Sequence, residues 1–302
     1  MQQDQIIHAT LRSGTVRVVA ASARHTVSEA REIHALSRVA TAALGRQLIM
    51  TAIMASGLKH ESERLSTIIK GGGPAGNLVC TGDASGNVKG TVQNPACELP
   101  PTAEGKLDVG GFVGASGQLT VVRDMVLRDP YVGTCALVSG EIARDFAEYY
   151  LVSEQQPSLV YLGVREHPAD GAVRAAGGLL LQPLPGCTED TIEEMMRLAE
   201  PISQMTELLD EGIVLRDVLG MLFVGCGLSV EGESAMRYRC DCSRERIEKA
   251  LISVGGKDLT EMIEQDNGAE VTCHFCNRNY TFSREELTAL LAEAMGANDG
   301  DA

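Results

Sequence analysis

Tryptophan is absent from this chain, and the other aromatics are few, five Phe and six Tyr in 302 residues. The core must therefore be assembled from Val, Leu, Ile, Ala and Met. No stretch reaches the roughly 18 consecutive apolar residues that a membrane-spanning helix needs. The N-terminal MQQDQIIHAT lacks a basic segment followed by an apolar one, so no secretory signal is expected. These absences lead to the expectation of a cytoplasmic protein with no membrane partner. Nucleotide chemistry also lacks support, because no GxxxxGKS/T motif occurs and ATP-driven mechanisms lose their phosphate cradle. Neither GxSxG nor HExxH is present, and the six histidines (His8, His25, His34, His60, His167 and His274) form no nucleophile-and-base pattern with Ser139. The residues do not read as those of an enzyme.

Positive charge is scarce in one part of the chain only. Of the formal net charge of −15, residues 187–302 carry −14 and residues 1–186 carry −1. An acidic C-terminal region repels phosphate backbones, which counts against a nucleic-acid partner.

The 32 glycines punctuate the chain into many short segments. Residues 28–57 predict one long helix, with Thr26 and Glu29 at capping-box spacing and Gly57 as the stop. Residues 65–93 predict a meander of short strands, LSTIIK, NLVCTGD and VKGTVQ, separated by the turns GGGPAG and ASGN. GGGPAG satisfies GxGxxG, but a strand follows it where a dinucleotide site needs a helix, so it reads as a turn. Further strands are expected over 118–126, 158–164 and 172–181, with a helix over 141–154 capped by Ser139. Segregated strands and helices argue an α+β fold whose core domain is a mostly antiparallel sheet with packed helices.

Pro183, Pro185 and Gly186 end the last strand. Beyond them lies a helical linker, including amphipathic turns over 191–209 hinged at Pro201. Its methionines suit either core packing or pliable exposed surface. A small C-terminal domain follows, with helices expected over 243–253 and 257–265, a hairpin around Cys273 and Cys276, and a helix capped by Ser283 and Glu286. The expected organisation is thus a core domain at 1–186, a helical linker at 187–231 and a small cysteine-bearing domain at 232–302.

That last domain contains Cys240-Asp-Cys242 and Cys273-His-Phe-Cys276, a CxC and a CxxC thirty residues apart. Four thiolates so spaced can surround one tetrahedral Zn²⁺ at about 2.3 Å per bond. In a chain with no sign of export, such pairs read as metal ligands or redox sensors before permanent disulfides. His274 lies inside the CxxC, but four thiolates already complete the tetrahedron. Cys80, Cys97, Cys135, Cys187 and Cys226 have no partner at ligand spacing. Cys80 and Cys135 read as core filler, while Cys97 and Cys187 follow turn signals. Spacing leaves three readings open: a constitutive zinc-stabilised protein-interaction module, a redox switch, or a thiol–disulfide oxidoreductase acting through Cys273 and Cys276.

CDC and CHFC followed by NRNYTF, together with GGGPAGNLVCTGDASGNVKGTVQNP, SGEIARDFAEYYLVSEQQPSLVYLGV and GGLLLQPLPG, resemble the heat shock protein 33 family of redox-regulated holdase chaperones along nearly the whole chain. The resemblance implies that Cys240, Cys242, Cys273 and Cys276 bind zinc in a reduced, inactive state. It further implies that hypochlorous acid, or peroxide with heat, forms the disulfides Cys240–Cys242 and Cys273–Cys276. Zinc then leaves, the linker loses order, and the exposed surface holds unfolded client proteins without ATP, with a homodimer in the oxidised state.

Overall fold

The computed structural model describes residues 3–125, 129–265 and 268–298, so the expected strand end at Val126 lies outside the described residues. The chain divides into two compact units, Met1–Arg239 and Cys240–Ala302.

The larger unit begins with a hairpin of β1 (Gln5–Leu11) and β2 (Val16–Ser22), followed by α1 (Arg24–His34) and α2 (Arg38–Ala55). The meander β3 (Arg64–Lys70), β4 (Asn77–Asp83) and β5 (Asn87–Val92) comes next, then α3 (Val109–Val113), β6 (Gln118–Asp124) and β7 (Tyr131–Ala136). After α4 (Ala143–Val152) the chain forms β8 (Leu159–Glu166) and β9 (Val173–Pro183). Four short helices, α5 (Glu189–Arg197), α6 (Ala199–Ile202), α7 (Met205–Asp210) and α8 (Leu215–Leu222), precede β10 (Ser229–Ala235) and β11 (Arg237–Tyr238).

The strands form a five-stranded sheet, β10-β1-β2-β9-β8, and a six-stranded sheet, β11-β5-β4-β3-β6-β7. Every pairing in them is antiparallel except β11 on β5. Between the two sheets runs α2, which packs on β3, β4 and β5 on one side and on β2, β8 and β9 on the other. A helix covered on both sides cannot be amphipathic, and 16 of the 18 residues of α2 are buried. Two of its buried polar side chains reach across to β3: the Gln47 amide nitrogen donates to the Thr67 carbonyl and hydroxyl, both at 3.0 Å, and Thr51 meets the Thr67 hydroxyl at 2.7 Å, while the Gln47 side-chain oxygen is buried without a partner among the described residues.

The five-stranded sheet is covered on its second face as well. Side chains alternate across a strand, and here consecutive residues enter different cores. Ile6, Val19, Ala21 and Leu180 join the α2 core, whereas Ile7, Val18, Ala20, Leu179 and Leu181 pack with Met195, Met205, Leu215 and Leu219 of α5 to α8. Met195 and Met205 are therefore core residues, while Met196 stays exposed. Glycines permit the closest approach. Gly163 and Gly177 oppose each other on β8 and β9, and a Cβ at Gly163 would stand 2.6 Å from the Thr206 methyl of α7.

Three local expectations are corrected. The single helix over 28–57 is two helices: Ala35 turns left-handed at φ 48°, and Ser37 restarts the chain by accepting the Ala40 N–H at 3.1 Å. The break is held from outside, since Ser37 also donates its N–H to the Pro95 carbonyl and its hydroxyl to the Cys97 carbonyl. The Thr26–Glu29 box gives way to Asp4, whose carboxylate accepts the N–H groups of His25 and Thr26 and the Thr26 hydroxyl, an anion at a helix N-terminus. Ser139 likewise does not cap α4. Asp145 does so, accepting N–H groups from Val138, Ser139 and Ile142 at 2.8–2.9 Å and holding Ile142 at φ 67°. GGGPAG is a turn whose amides are engaged internally, Gly73 and Ala75 donating to the Val113 and Phe112 carbonyls.

The smaller unit consists of α9 (Arg244–Val254), α10 (Gly256–Gln265), the antiparallel hairpin β12 (Gly268–Thr272) and β13 (Asn279–Ser283), and α11 (Arg284–Asn298). Ser283 and Glu286 form the expected reciprocal cap, at 2.8 and 3.3 Å. Among the described residues, only Leu259 and Leu287 of its apolar cluster are wholly inaccessible.

Replacing Gly163 with Ala will press on Thr206, a stiff β-branched residue tied by its hydroxyl to Tyr161 at 2.8 Å. Overpacking of this kind costs about 1–3 kcal/mol. Hydrogen exchange should show α7 losing protection while α2 keeps its own.

Candidate metal centre

The CxxC occupies the turn of the β12–β13 hairpin, where the Cys273 N–H donates to the Arg278 carbonyl at 2.9 Å. The Cys273 carbonyl in turn accepts the N–H groups of Cys276 and Asn277, and Asn277 adopts the left-handed conformation, φ 54°, that closes the turn. Folded in this way, the turn brings both sulfurs to one side. The CxC immediately precedes α9, whose cap is the Ser243 hydroxyl accepting the Arg246 N–H at 3.3 Å. Arg246 also grips the carboxylate of Asp241, the residue between the two cysteines, and its carbonyl at 3.3 Å. The helix start thus fixes the CxC.

All four sequence-predicted cysteines come together. The Sγ atoms of Cys240, Cys242, Cys273 and Cys276 lie within 4.8 Å of one another, with 3.7 Å between Cys240 and Cys273 and 3.4 Å between Cys242 and Cys276. No pair is bonded as a disulfide, and all nine cysteines are free thiols. A tetrahedron of sulfurs at about 2.3 Å from a central ion has edges of about 3.8 Å, so the spacing fits one metal ion. An all-sulfur donor set suits soft or borderline ions, Zn²⁺ among them. His274 is exposed and stands outside the cluster. Proximity does not choose a disulfide pairing, because every sulfur is near the other three.

The remaining cysteines are not part of the site. Cys80 is fully buried and burial drives its thiol far above the usual range; Cys135 is pushed up to about 11 by burial and by Asp145 and Glu148. Cys226 is buried in the core under α5 to α8, and Cys97 and Cys187 are half-buried.

Sequence reasoning missed the groups around the sulfurs. Tyr280, on β13 beyond the turn, donates its hydroxyl to Cys242 Sγ at 3.2 Å. The Arg278 guanidinium stands beside Tyr280 and favours negative charge on its oxygen, and the Arg278 N–H likewise favours charge on Cys276. The inward phase of β13, with Tyr280 and Phe282 buried and their neighbours exposed, is the signal that could have pointed to Tyr280. Burial pushes the Cys242 thiol up, but hydrogen bonds from Tyr280, Cys276, Cys240 and Cys273 outweigh it and bring it down to about 7. Burial, with the hydrogen bonds of Cys242 and Cys273, raises Cys276 against the Arg278 N–H.

The Hsp33 protein family matches residues 4–283 of this chain. The chain belongs to the Hsp33 family. A 33 kDa chaperonin of Clostridioides difficile (strain 630) is 43% identical over 291 residues, covering 96% of this chain and 99% of that protein. Its counterpart in Acetivibrio thermocellus is 43% identical over 289 residues, covering 96% and 97%. The crystal structure of the 33 kDa chaperonin (Hsp33 homologue) of Thermotoga maritima superposes with a TM-score of 0.85 at 36% identity, covering 98% of this chain and 100% of that one. This Hsp33 chain therefore shares both the fold and the near-complete length of its relatives. No helix among its described residues is long and apolar enough to cross a membrane.

The shifts give a pH window. The lowered Cys242 pKa stabilises the folded, metal-free unit above the ordinary value near 9, and that contribution is lost as pH falls through about 7. The raised Cys276 pKa acts oppositely, its contribution present below the ordinary value and lost as pH rises past it. In chelator-treated protein, alkylation of Cys242 should reach half its maximal rate near pH 7, with Cys276 reacting only at distinctly higher pH. Peptide mapping after pulse labelling checks the order.

Proposed function

We propose that this chain is an ATP-independent holdase whose client binding is turned on by oxidation of the Cys240, Cys242, Cys273 and Cys276 cluster. The observation that carries the reading is the convergence of four free sulfurs within 4.8 Å in a unit with very little core of its own. These four residues would hold Zn²⁺, which when bound supplies the positive charge that lets all of them remain thiolates. Structural zinc is worth on the order of 10–16 kcal/mol in small peptides, more than the net stability of most domains.

Thiolates are the form that oxidants attack. Two thiolates and one hypochlorous acid molecule give one disulfide, one chloride and one hydroxide, the sulfurs losing two electrons and chlorine gaining them. Each disulfide removes half of the donor set and its negative charge. We assign the pairs as Cys240–Cys242 and Cys273–Cys276, from the family resemblance. A disulfide in the CxC closes a small, strained ring and is the more easily reduced of the two.

In this scheme residues 187–231 act as the linker. Loss of order in the C-terminal unit frees them, and the apolar side chains that α5 to α8 place against the five-stranded sheet become available to unfolded clients. The family resemblance supports the homodimer of the oxidised form and the cytoplasmic setting, and the acidic 187–302 region argues against nucleic acid. An oxidoreductase reading finds no support here, because the CxxC sits in a hairpin turn and not at a helix N-terminus.

Zinc-loaded protein treated with hypochlorite should release about one zinc per chain and, over the same interval, begin to suppress aggregation of a chemically unfolded client. Zinc release without holdase activity would overturn the switch. Equal activity before and after oxidation would indicate a constitutive chaperone with a structural metal.

A further inference from the structure

Of the four sulfurs, Cys242 accepts a side-chain hydrogen bond from a phenol that has a permanent cation beside it. The Tyr280 hydroxyl donates to Cys242 Sγ at 3.2 Å, and the Arg278 guanidinium stands close enough to the phenol to favour negative charge on its oxygen. Tyr280 is 9% exposed, so its donor is held against the sulfur by the packing of β13, whereas Arg278 is exposed. A cation beside a phenol favours negative charge on its oxygen and so makes its hydroxyl a stronger donor. Donors around a ligand set how much electron density it keeps, both for a metal and for an electrophile.

We propose that Tyr280, reinforced by Arg278, is a positioning residue that sets the oxidant threshold of the switch by drawing electron density from Cys242. The proposal rests on the redox reading above and deepens it. In the first step a thiolate takes the chlorine of hypochlorous acid and releases hydroxide. In the second, a neighbouring thiolate displaces chloride from that sulfur and the disulfide forms. The first step depends on the nucleophilicity of the attacked sulfur, so a donor aimed at Cys242 slows it there. Without the phenol oxygen, the cluster would respond at lower oxidant concentration.

Tyr280→Phe keeps the ring and removes only the donor, while Arg278→Met, on an exposed side chain, removes the cation and leaves the phenol. Cobalt substitution gives a readout independent of chaperone activity. In Tyr280→Phe the sulfur-to-cobalt charge-transfer band should move to longer wavelength, and hypochlorite-driven zinc release, followed with a chromogenic chelator, should be about three- to tenfold faster, as expected for losing one ordinary hydrogen bond. Arg278→Met should shift both in the same direction by less. A Phe282→Leu control perturbs packing on the same strand and should leave the band in place. If Tyr280→Phe binds cobalt with an unchanged band and releases zinc at the wild-type rate, the assignment is overturned. If the band and rates move as stated but oxidised wild-type protein holds no client, the threshold role stands and the holdase reading fails.

Discussion

Four sulfurs within 4.8 Å of one another can all be thiolates only if a cation lies among them. That electrostatic constraint governs the C-terminal unit. Its hairpin, its three helices and its reciprocal Ser283–Glu286 cap are all regular, yet its apolar cluster contains only two wholly inaccessible side chains among the described residues. Without a shared positive charge, protons must return to most of the sulfurs, and the opposite displacements of Cys242 and Cys276 express that competition. The unit is organised around charge, whereas the larger unit is organised around apolar volume.

Volume is supplied there by α2. A helix buried on nearly every side has to be small-residue-rich so that two sheets can close on it, and Ala40, Ala42, Ala43, Ala52 and Ala55 meet that need. Glycines on the facing strands continue the same solution. A Cβ at Gly82 would come within 2.9 Å of Ala55, and one at Gly90 within 3.0 Å of Leu48. The scarcity of aromatics is thus consistent with a core of thin, closely approaching layers.

Much of this was legible in the sequence where the signal was local. The strands over 65–93 alternate buried and half-buried residues and were read as strands; the CxC and CxxC spacing pointed to the four sulfurs that the fold unites. What escaped was decided at long range. The β1–β2 hairpin has no alternation to detect, because both faces of its sheet are covered. The break between α1 and α2 depends on Pro95 and Cys97, some sixty residues onward, and the cap of α1 comes from Asp4 on the other side of a hairpin. Tyr280 was hidden for a related reason: its role requires the turn that carries Cys276 to fold back beside Cys242, and residue spacing alone says nothing of that meeting.

The division of β1, β2 and β9 between two cores carries a metrical consequence. Successive residues on one face of a strand are about 6.6–6.8 Å apart, twice the rise per residue. If the layer of α5 to α8 lifts, it uncovers Ile7 and Ala9, Val18 and Ala20, and Leu179 and Leu181 as parallel rows ruled at that interval, while the alternate residues remain sealed against α2. Any extended polypeptide repeats its own side chains at the same interval, whatever its sequence. Such a surface would be commensurate with unfolded chains as a class, and the packing of the other face on α2 would still hold the sheet if this one were bared.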